Sequence, residues 1–473
     1  MNKGLIRDFA WYSASSFLPL AVGFFRTPIF TRHFSPDDFG SLGIVQVTFS
    51  YLGMLLFSWI SSCLWRYYQR YRKEGRSGQL NGGLMIFFWV SIFLLLVFSA
   101  GWYVLAGSEL TRELIVLSFF HLIFSQLVMA YLVIARLEAR ASLYTVFQSV
   151  RAVLGFGLSL YLVFELNAGI PALVTGLAVV DGLALLLLGL WNPVGIRWDV
   201  RGIRAKDLRD LLSYGMAGLI MNMSLLTLNL SDRYVILWSE GLSSVGIYDQ
   251  VYKISQLSVS ALIAVFFNTV NPGLFRKLEE NLEGSLSTMA AYLKMFLLLG
   301  LPLVVYLSLF SELISDLLLG PSFRGAYRIM PFVFFAAFLQ GISNFYELRM
   351  KFSDQLRRLG LVFLVAALFN LVLNLLLVPG HGYYWAAVST FLTFLGVVLY
   401  FAWTDRHLLS SLKMHDGKFP GLAGLLLLQA LVFIVVDNFD PSVPVVFAMG
   451  LIFVILYAGL LYRSGALKEL TEE

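Results

Sequence analysis

Apolar residues run through this chain in blocks of about twenty, broken by short polar stretches, from one end to the other. As an α-helix, a block of about twenty residues crosses a hydrocarbon core of about 30 Å. The pattern predicts fourteen spans, at 9–33, 41–65, 82–106, 113–135, 143–165, 170–191, 213–238, 246–272, 289–313, 326–350, 358–378, 383–404, 421–437 and 443–462. The thirteenth is short, so twelve or thirteen crossings also fit. Strands of a membrane barrel would alternate apolar and polar positions over short segments, and these runs do not. The first run is too long for a signal-peptide core and lacks a small-residue cleavage site, so it is expected to remain as a span. The expected fold class is all-α: a polytopic membrane protein of about 14 transmembrane helices.

The polar stretches between the runs repeat. Arg26 lies near the end of the first span, a Ser-containing turn follows, and Gly40 opens the next helix. Arg233, Ser239 and Gly246 repeat that order near the end of the seventh span, at offsets of 207 for the arginines and 206 for the glycines. A second pair of anchors agrees. Arg136 to Gly169 and Arg349 to Gly382 are both separated by 33 residues, at an offset of 213. The chain therefore reads as two copies of a six-helix lobe, 1–200 and 201–405, followed by an additional helix pair, 406–473. An even number of spans per copy gives both lobes one orientation, with the pseudo-axis along the membrane normal.

Composition supports this class. Of 473 residues 59% are hydrophobic and 13% charged, against roughly 25% charged in soluble domains. The net charge of +5 could suggest a nucleic-acid partner, but its placement explains it better. The ends and even-numbered connections carry 25 Lys and Arg, while the odd-numbered connections carry four: Arg32, Arg112, Arg324 and Arg328. The positive-inside rule then puts both termini and the basic loops Arg66–Arg76 and Arg197–Arg209 in the cytoplasm. The expected location is the bacterial cytoplasmic (inner) membrane, with membrane lipids as partners and no nucleic acid. Cys63, the single cysteine, excludes an internal disulfide and reads as an apolar filler. No phosphate loop of the G-x-x-x-x-G-K-[ST] type is present, and every connection is too short for a soluble domain. Prolines 19, 28, 302 and 331 fall inside spans, where each can kink its helix.

Five cations, Arg26, Arg151, Arg233, Lys253 and Lys294, fall inside spans. A charge in the bilayer is costly and marks a functional site by default. Arg26, Arg233 and Lys253 all lie in the outer half of the membrane, five to seven residues from a span end, and are the candidate substrate-binding cations of a cavity. Snorkelling to outer head groups is the alternative for each. Asp232 adjoins Arg233, and Asp249 precedes Lys253 by one helical turn, so these acids temper the positive charge. Arg151 and Asp181 reach similar depth in the antiparallel fifth and sixth spans and are expected to form a salt bridge. Alternatively, Asp181 is a coupling acid that titrates during transport. Lys294 is expected to snorkel.

Ser35-Pro36-Asp37-Asp38 reads as a helix start, with a serine cap, proline in the first turn and acids at the positive end of the dipole. The five histidines show no metal-ligand spacing, and His121 within the fourth span reads as hydrogen-bonded structure. No catalytic residue, metal or cofactor is expected.

Three stretches together carry a family likeness: Ser35-Pro-Asp-Asp-Phe-Gly40, Ser231-Asp-Arg-Tyr234 followed by Val245-Gly-Ile-Tyr248, and Leu319-Gly-Pro-Ser-Phe-Arg324. In this order they resemble the Wzx-type polysaccharide and O-antigen flippases, of the polysaccharide-transporter branch of the multidrug/oligosaccharidyl-lipid/polysaccharide exporter superfamily. The resemblance implies two six-helix lobes around a central cavity. It also implies flipping of undecaprenyl-diphosphate-linked oligosaccharide units to the outer leaflet, for polysaccharide biosynthesis, by alternating access. Arg26, Arg233 and Lys253 would engage diphosphate or acidic sugars, and a glycan polymerase and glycosyltransferases of the same pathway would be partners. A multidrug cation antiporter of the same superfamily is the alternative. A membrane-embedded polymerase or glycosyltransferase is a further one, though the external connections are short for an enzyme of that kind.

Overall fold

The computed structural model describes residues 18–201, 203–281, 284–411, 418–437 and 443–463. Among the described residues the regular structure is helical, with no strand, because helices satisfy every backbone group internally where no water can. In chain order the helices are α1 (Leu18–Phe30), α2 (Pro36–Gly53), α3 (Trp59–Lys73), α4 (Ser77–Leu105), α5 (Glu109–Leu137), α6 (Ala141–Phe164) and α7 (Ala172–Trp191). They continue with α8 (Ala205–Ala217), α9 (Leu219–Leu230), α10 (Asp232–Glu240), α11 (Leu242–Glu280), α12 (Leu286–Leu309), α13 (Ser311–Leu318) and α14 (Pro321–Arg324). The last six are α15 (Met330–Phe352), α16 (Leu356–His381), α17 (Tyr384–Thr404), α18 (Arg406–Ser410), α19 (Lys418–Asp437) and α20 (Val443–Arg463). A π turn, Met54–Ser58, joins α2 to α3.

Twelve helical stretches among the described residues are long and apolar enough to cross a membrane. All fourteen expected runs reappear as helix, the first and thirteenth falling short of the other twelve in apolar length; residues 9–17 of the first lie outside the described residues. The protein is a polytopic all-α membrane protein. Several helices outrun their apolar blocks. The seventh span starts at Ala205, eight residues earlier than hydropathy suggests, because α8 is amphipathic and carries Lys206, Asp207, Arg209 and Asp210. The tail of α3 through Arg66–Lys73 is of the same kind.

Helix ends follow local chemistry. The Ser35 hydroxyl accepts a hydrogen bond from the Asp38 amide at 3.2 Å, and the Asp38 carboxylate accepts one from the Ser35 amide at 3.0 Å, completing a capping box at α2. Pro302 does lie inside α12. Pro331 does not kink its span: it sits in the first turn of α15, where the missing N–H has no helical partner to lose.

The chain divides into two compact units, Met1–Asp249 and Gln250–Glu473. In the first, α7 packs against both α5 and α6, and α5 also packs against α2, α3 and α4. The start of α11 meets α2 at backbone range through Gly40 and Gly246. In the second, α17 packs against α15 and α16. Asn370, Asn374, Ser389 and Thr393 are buried between α16 and α17 and hydrogen-bonded across them; for example, Ser389 donates to Asn374 Oδ1 at 2.5 Å. The final helix pair is tied to α12 by Tyr306, which donates to Gln429 Oε1 at 2.6 Å, and by Tyr457, which donates to the Leu298 carbonyl at 2.9 Å. Such polar contacts act as glue between membrane helices, where apolar packing gives no advantage over lipid.

Candidate functional site

The first unit contains a cavity of about 470 Å³ walled by α2, the π turn, α5, α7 and α9. Its polar lining is Gln46 and Ser50 from α2, Ser58 from the π turn, and Ser118, His121, Ser125 and Gln126 from α5. The spacing explains the convergence. Ser118, His121 and Ser125 recur at three and four residues, and Gln46 and Ser50 at four, so each set occupies one face of its helix. Val174, Leu177 and Leu226 supply apolar wall. Among the described residues the lining carries amide and hydroxyl groups and one imidazole, but no carboxylate, lysine or arginine.

The π turn belongs to this wall. One extra residue in the turn disturbs the regular hydrogen-bond ladder, and such turns concentrate at functional sites. Ser91 of α4 donates to the Leu56 carbonyl at 2.7 Å, and Ser58 donates to the Met54 carbonyl at 2.6 Å. These bonds satisfy polar backbone that a membrane interior leaves expensive.

Behind His121 lies a charged cluster. Arg151 of α6 grips Asp181 of α7 with two bonds, Nε to Oδ1 at 2.7 Å and Nη2 to Oδ2 at 2.9 Å. Gln148 accepts from Arg151 Nη1 at 2.9 Å. The His121 Nε2 atom faces Asp181 Oδ2 at 3.5 Å. Arg26 of α1 lies within electrostatic range of the same histidine. It is half-buried, and its Nη2 donates to the Leu173 carbonyl at 3.4 Å, one residue from Val174 in the cavity wall.

Arg233 sits in a different environment. It is 1% exposed, and its charge is met inside the protein. Its Nη1 donates to Asp232 Oδ1 at 2.7 Å and its Nε to Asp249 Oδ1 at 3.4 Å. Tyr248 donates to Asp232 Oδ2 at 2.5 Å, and the guanidinium carbon stands 5.1 Å from the centroid of the Tyr248 ring. Asp249 reaches Arg233 because Gly241, at φ +88°, reverses the chain between α10 and α11. Positive φ of this kind is open chiefly to glycine.

The structure therefore brings Arg151, Asp181 and His121 together near the cavity, with Arg26 close by. It gathers Arg233, Asp232 and Asp249 into a separate buried cluster whose residues do not line the cavity. Lys253 is half-buried on α11 in the second unit, as is Lys294 on α12. Charge-based reasoning missed the neutral lining. Its signal, polar residues at three- and four-residue spacing inside apolar spans, is present in the sequence.

The family model for polysaccharide biosynthesis proteins matches residues 5–278, more than half of the chain. The chain belongs to the polysaccharide biosynthesis protein family. No curated protein matches it significantly. Among solved structures, this family member is similar in fold to the lipid II flippase MurJ in an inward closed conformation, with a TM-score of 0.75 at 14% identity, over 96% of this chain and 99% of that one. It is also similar to an inward-facing multidrug resistance MATE transporter of the MOP superfamily, with a TM-score of 0.60 at 17% identity, over 85% of this chain and 96% of that one. A MOP superfamily transporter from Pyrococcus furiosus gives a TM-score of 0.55 at 16% identity, over 85% and 94%. The family member thus has the fold of this transporter superfamily.

Proposed function

We propose that this protein is a flippase that moves undecaprenyl-diphosphate-linked oligosaccharide repeat units from the cytoplasmic to the outer leaflet of the bacterial inner membrane by alternating access. The observation that carries the reading is the cavity of about 470 Å³ within membrane-spanning helices, lined by uncharged hydrogen-bonding side chains. Sugar hydroxyls cannot enter hydrocarbon without replacing their hydrogen bonds to water. Serine hydroxyls and glutamine amides supply both donors and acceptors for that exchange. Membership of a polysaccharide biosynthesis family and a fold shared with a lipid II flippase support the same reading.

In this proposal Arg26 contacts the diphosphate. Its guanidinium lies next to the cavity wall, and among the described residues no acid pairs with it. Arginine fits phosphate oxygens with two parallel bonds. Arg233 takes another role: buried against Asp232 and Asp249, it braces α10 against α11. Lys253 is proposed as a further anion contact, acting in the second lobe of a duplicated architecture, 1–200 and 201–405, with 406–473 as an added helix pair. Both termini are assigned to the cytoplasm on the distribution of basic residues. The multidrug reading is disfavoured by the lining, which among the described residues offers a cationic drug no carboxylate.

The reading is tested by replacing cavity side chains in the full chain, with Gln46→Leu and Gln126→Leu combined. Loss of lipid-linked glycan transport with normal folding and membrane insertion is expected. Unchanged transport would remove the cavity from the mechanism.

A further inference from the structure

We propose that His121 is a proton-binding site in the wall of the polar cavity, with Asp181 as its fixed counter-charge and Arg151 as the group that fixes it. The side chain of His121 is 31% exposed and lines the cavity, whereas those of Asp181 and Arg151 are 7% and 12% exposed and stand behind it. A proton arriving from the cavity therefore meets the imidazole first.

The cluster's geometry decides which group takes that proton. Both oxygens of Asp181 are held by Arg151, at 2.7 and 2.9 Å. A two-bond grip of this kind occupies both carboxylate oxygens with charged donors. The Arg151–Asp181 pair sums to zero charge. His121 is then the group free to change charge, and Asp181 Oδ2, 3.5 Å from Nε2, is placed to accept from the protonated ring. The neighbours are few. Asp181 comes from α7, Arg151 from α6 and Arg26 from α1. The lining from α2, the π turn and α9 is uncharged, including Gln46, Ser50, Ser58 and Leu226. Protonation therefore takes the cluster from 0 to +1 at the wall of a cavity whose other lining groups, among the described residues, are uncharged.

One consequence rests on the flippase reading. With a proton on His121, two cations, His121 and Arg26, face the region a diphosphate would occupy; loss of the proton weakens that attraction and favours release. Proton binding itself does not depend on that reading.

The full chain in lipid nanodiscs, with its five histidines labelled at Cε1, tests the proposal by NMR titration, and His121→Gln assigns the resonance. We expect His121 to titrate, Asp181→Asn to move its midpoint down by about one pH unit or more, and Arg151→Gln to move it up as the freed carboxylate turns wholly to the imidazole. The opposite signs separate this role from general structural damage, and either variant alone suffices if the other does not fold. A His121 that fails to titrate between pH 4 and 9, or a midpoint that neither variant moves, overturns the proposal. In proteoliposomes, His121→Gln is expected to abolish the dependence of glycan transport on an imposed pH gradient. If the wild-type chain transports no glycan while the NMR shifts appear, the flippase reading fails and the proton site stands.

Discussion

Gly40 and Gly246, 206 positions apart in the sequence, meet each other reciprocally at the crossing of α2 and α11. A Cβ on Gly40 would fall 2.7 Å from the Leu242 carbonyl carbon, and a Cβ on Gly246 would fall 2.8 Å from the Pro36 carbonyl carbon. Leu242 precedes Gly246 by four residues, and Pro36 precedes Gly40 by four. Each helix thus presents the same turn to the other, the arrangement that a two-fold relation between equivalent segments produces. The two helices approach this closely because neither carries a side chain at the crossing.

That contact makes a stability prediction. Gly40→Ala and Gly246→Ala each drive a methyl group into backbone, which cannot rotate away as a side chain could, so each should destabilise the protein by about 1–3 kcal/mol. Thermal unfolding in detergent checks this. Gly101→Ala and Gly157→Ala, where a Cβ meets nothing within 4 Å, are the matched helical controls and should not lower the melting temperature, since alanine favours helix over glycine. A Gly246→Ala protein as stable as these controls would contradict the packing described.

The Arg233 cluster predicts a different pattern. Arg233→Met removes a buried cation from beside the Asp232 and Asp249 carboxylates, at a cost of about 3–5 kcal/mol. Combining it with Asp249→Asn removes one of the buried carboxylate charges and should recover part of that loss. A double-mutant cycle of unfolding free energies measures the coupling, and a coupling near zero would show that the cluster does not act as a unit.

At the π turn, Ser91→Ala removes the donor to the Leu56 carbonyl. The expected loss is about 1 kcal/mol of stability, with a larger proportional loss of transport if the turn shapes the cavity wall. Equal stability and equal transport would make the Ser91 contact incidental.

Arg26 and Arg233 separate in transport assays. Arg26→Ala should slow glycan transport while the protein stays folded, and Arg26→Lys should recover only part of it, because an ammonium cannot reproduce the two-bond fit to phosphate. Arg233→Met should instead lower the amount of folded protein. Normal transport by Arg26→Ala would remove it from the diphosphate site.

Much of the fold was legible in the sequence because membrane spans are written in hydropathy. The fourteen runs, the Ser35 helix start and the depth match of Arg151 with Asp181 all rest on local periodicity. The rest depends on contacts that periodicity does not encode. Asp249 stands one turn from Lys253 in sequence, and the chain reversal at Gly241 brings it to Arg233, a contact that periodicity does not show. Two arginines at equivalent repeat positions look alike in sequence, but one is half-buried beside the cavity wall and the other is wholly enclosed. His121 takes its meaning from a carboxylate 60 residues away. The cavity lining was visible only as a faint polar stripe, since serine and glutamine interrupt an apolar run far less than a charge does. Pro331 reads as a kink by position alone and as a helix start once the beginning of α15 is known.

The most direct test of the central claim reconstitutes the purified full chain in liposomes with a fluorescent undecaprenyl-diphosphate oligosaccharide in both leaflets, and follows quenching by a membrane-impermeant reagent. A flippase makes the inner-leaflet pool accessible, so quenching should proceed well beyond half, and the combined Gln46→Leu and Gln126→Leu protein should stop near half. Quenching that stops near half with the wild-type protein, as in protein-free liposomes, would contradict the account.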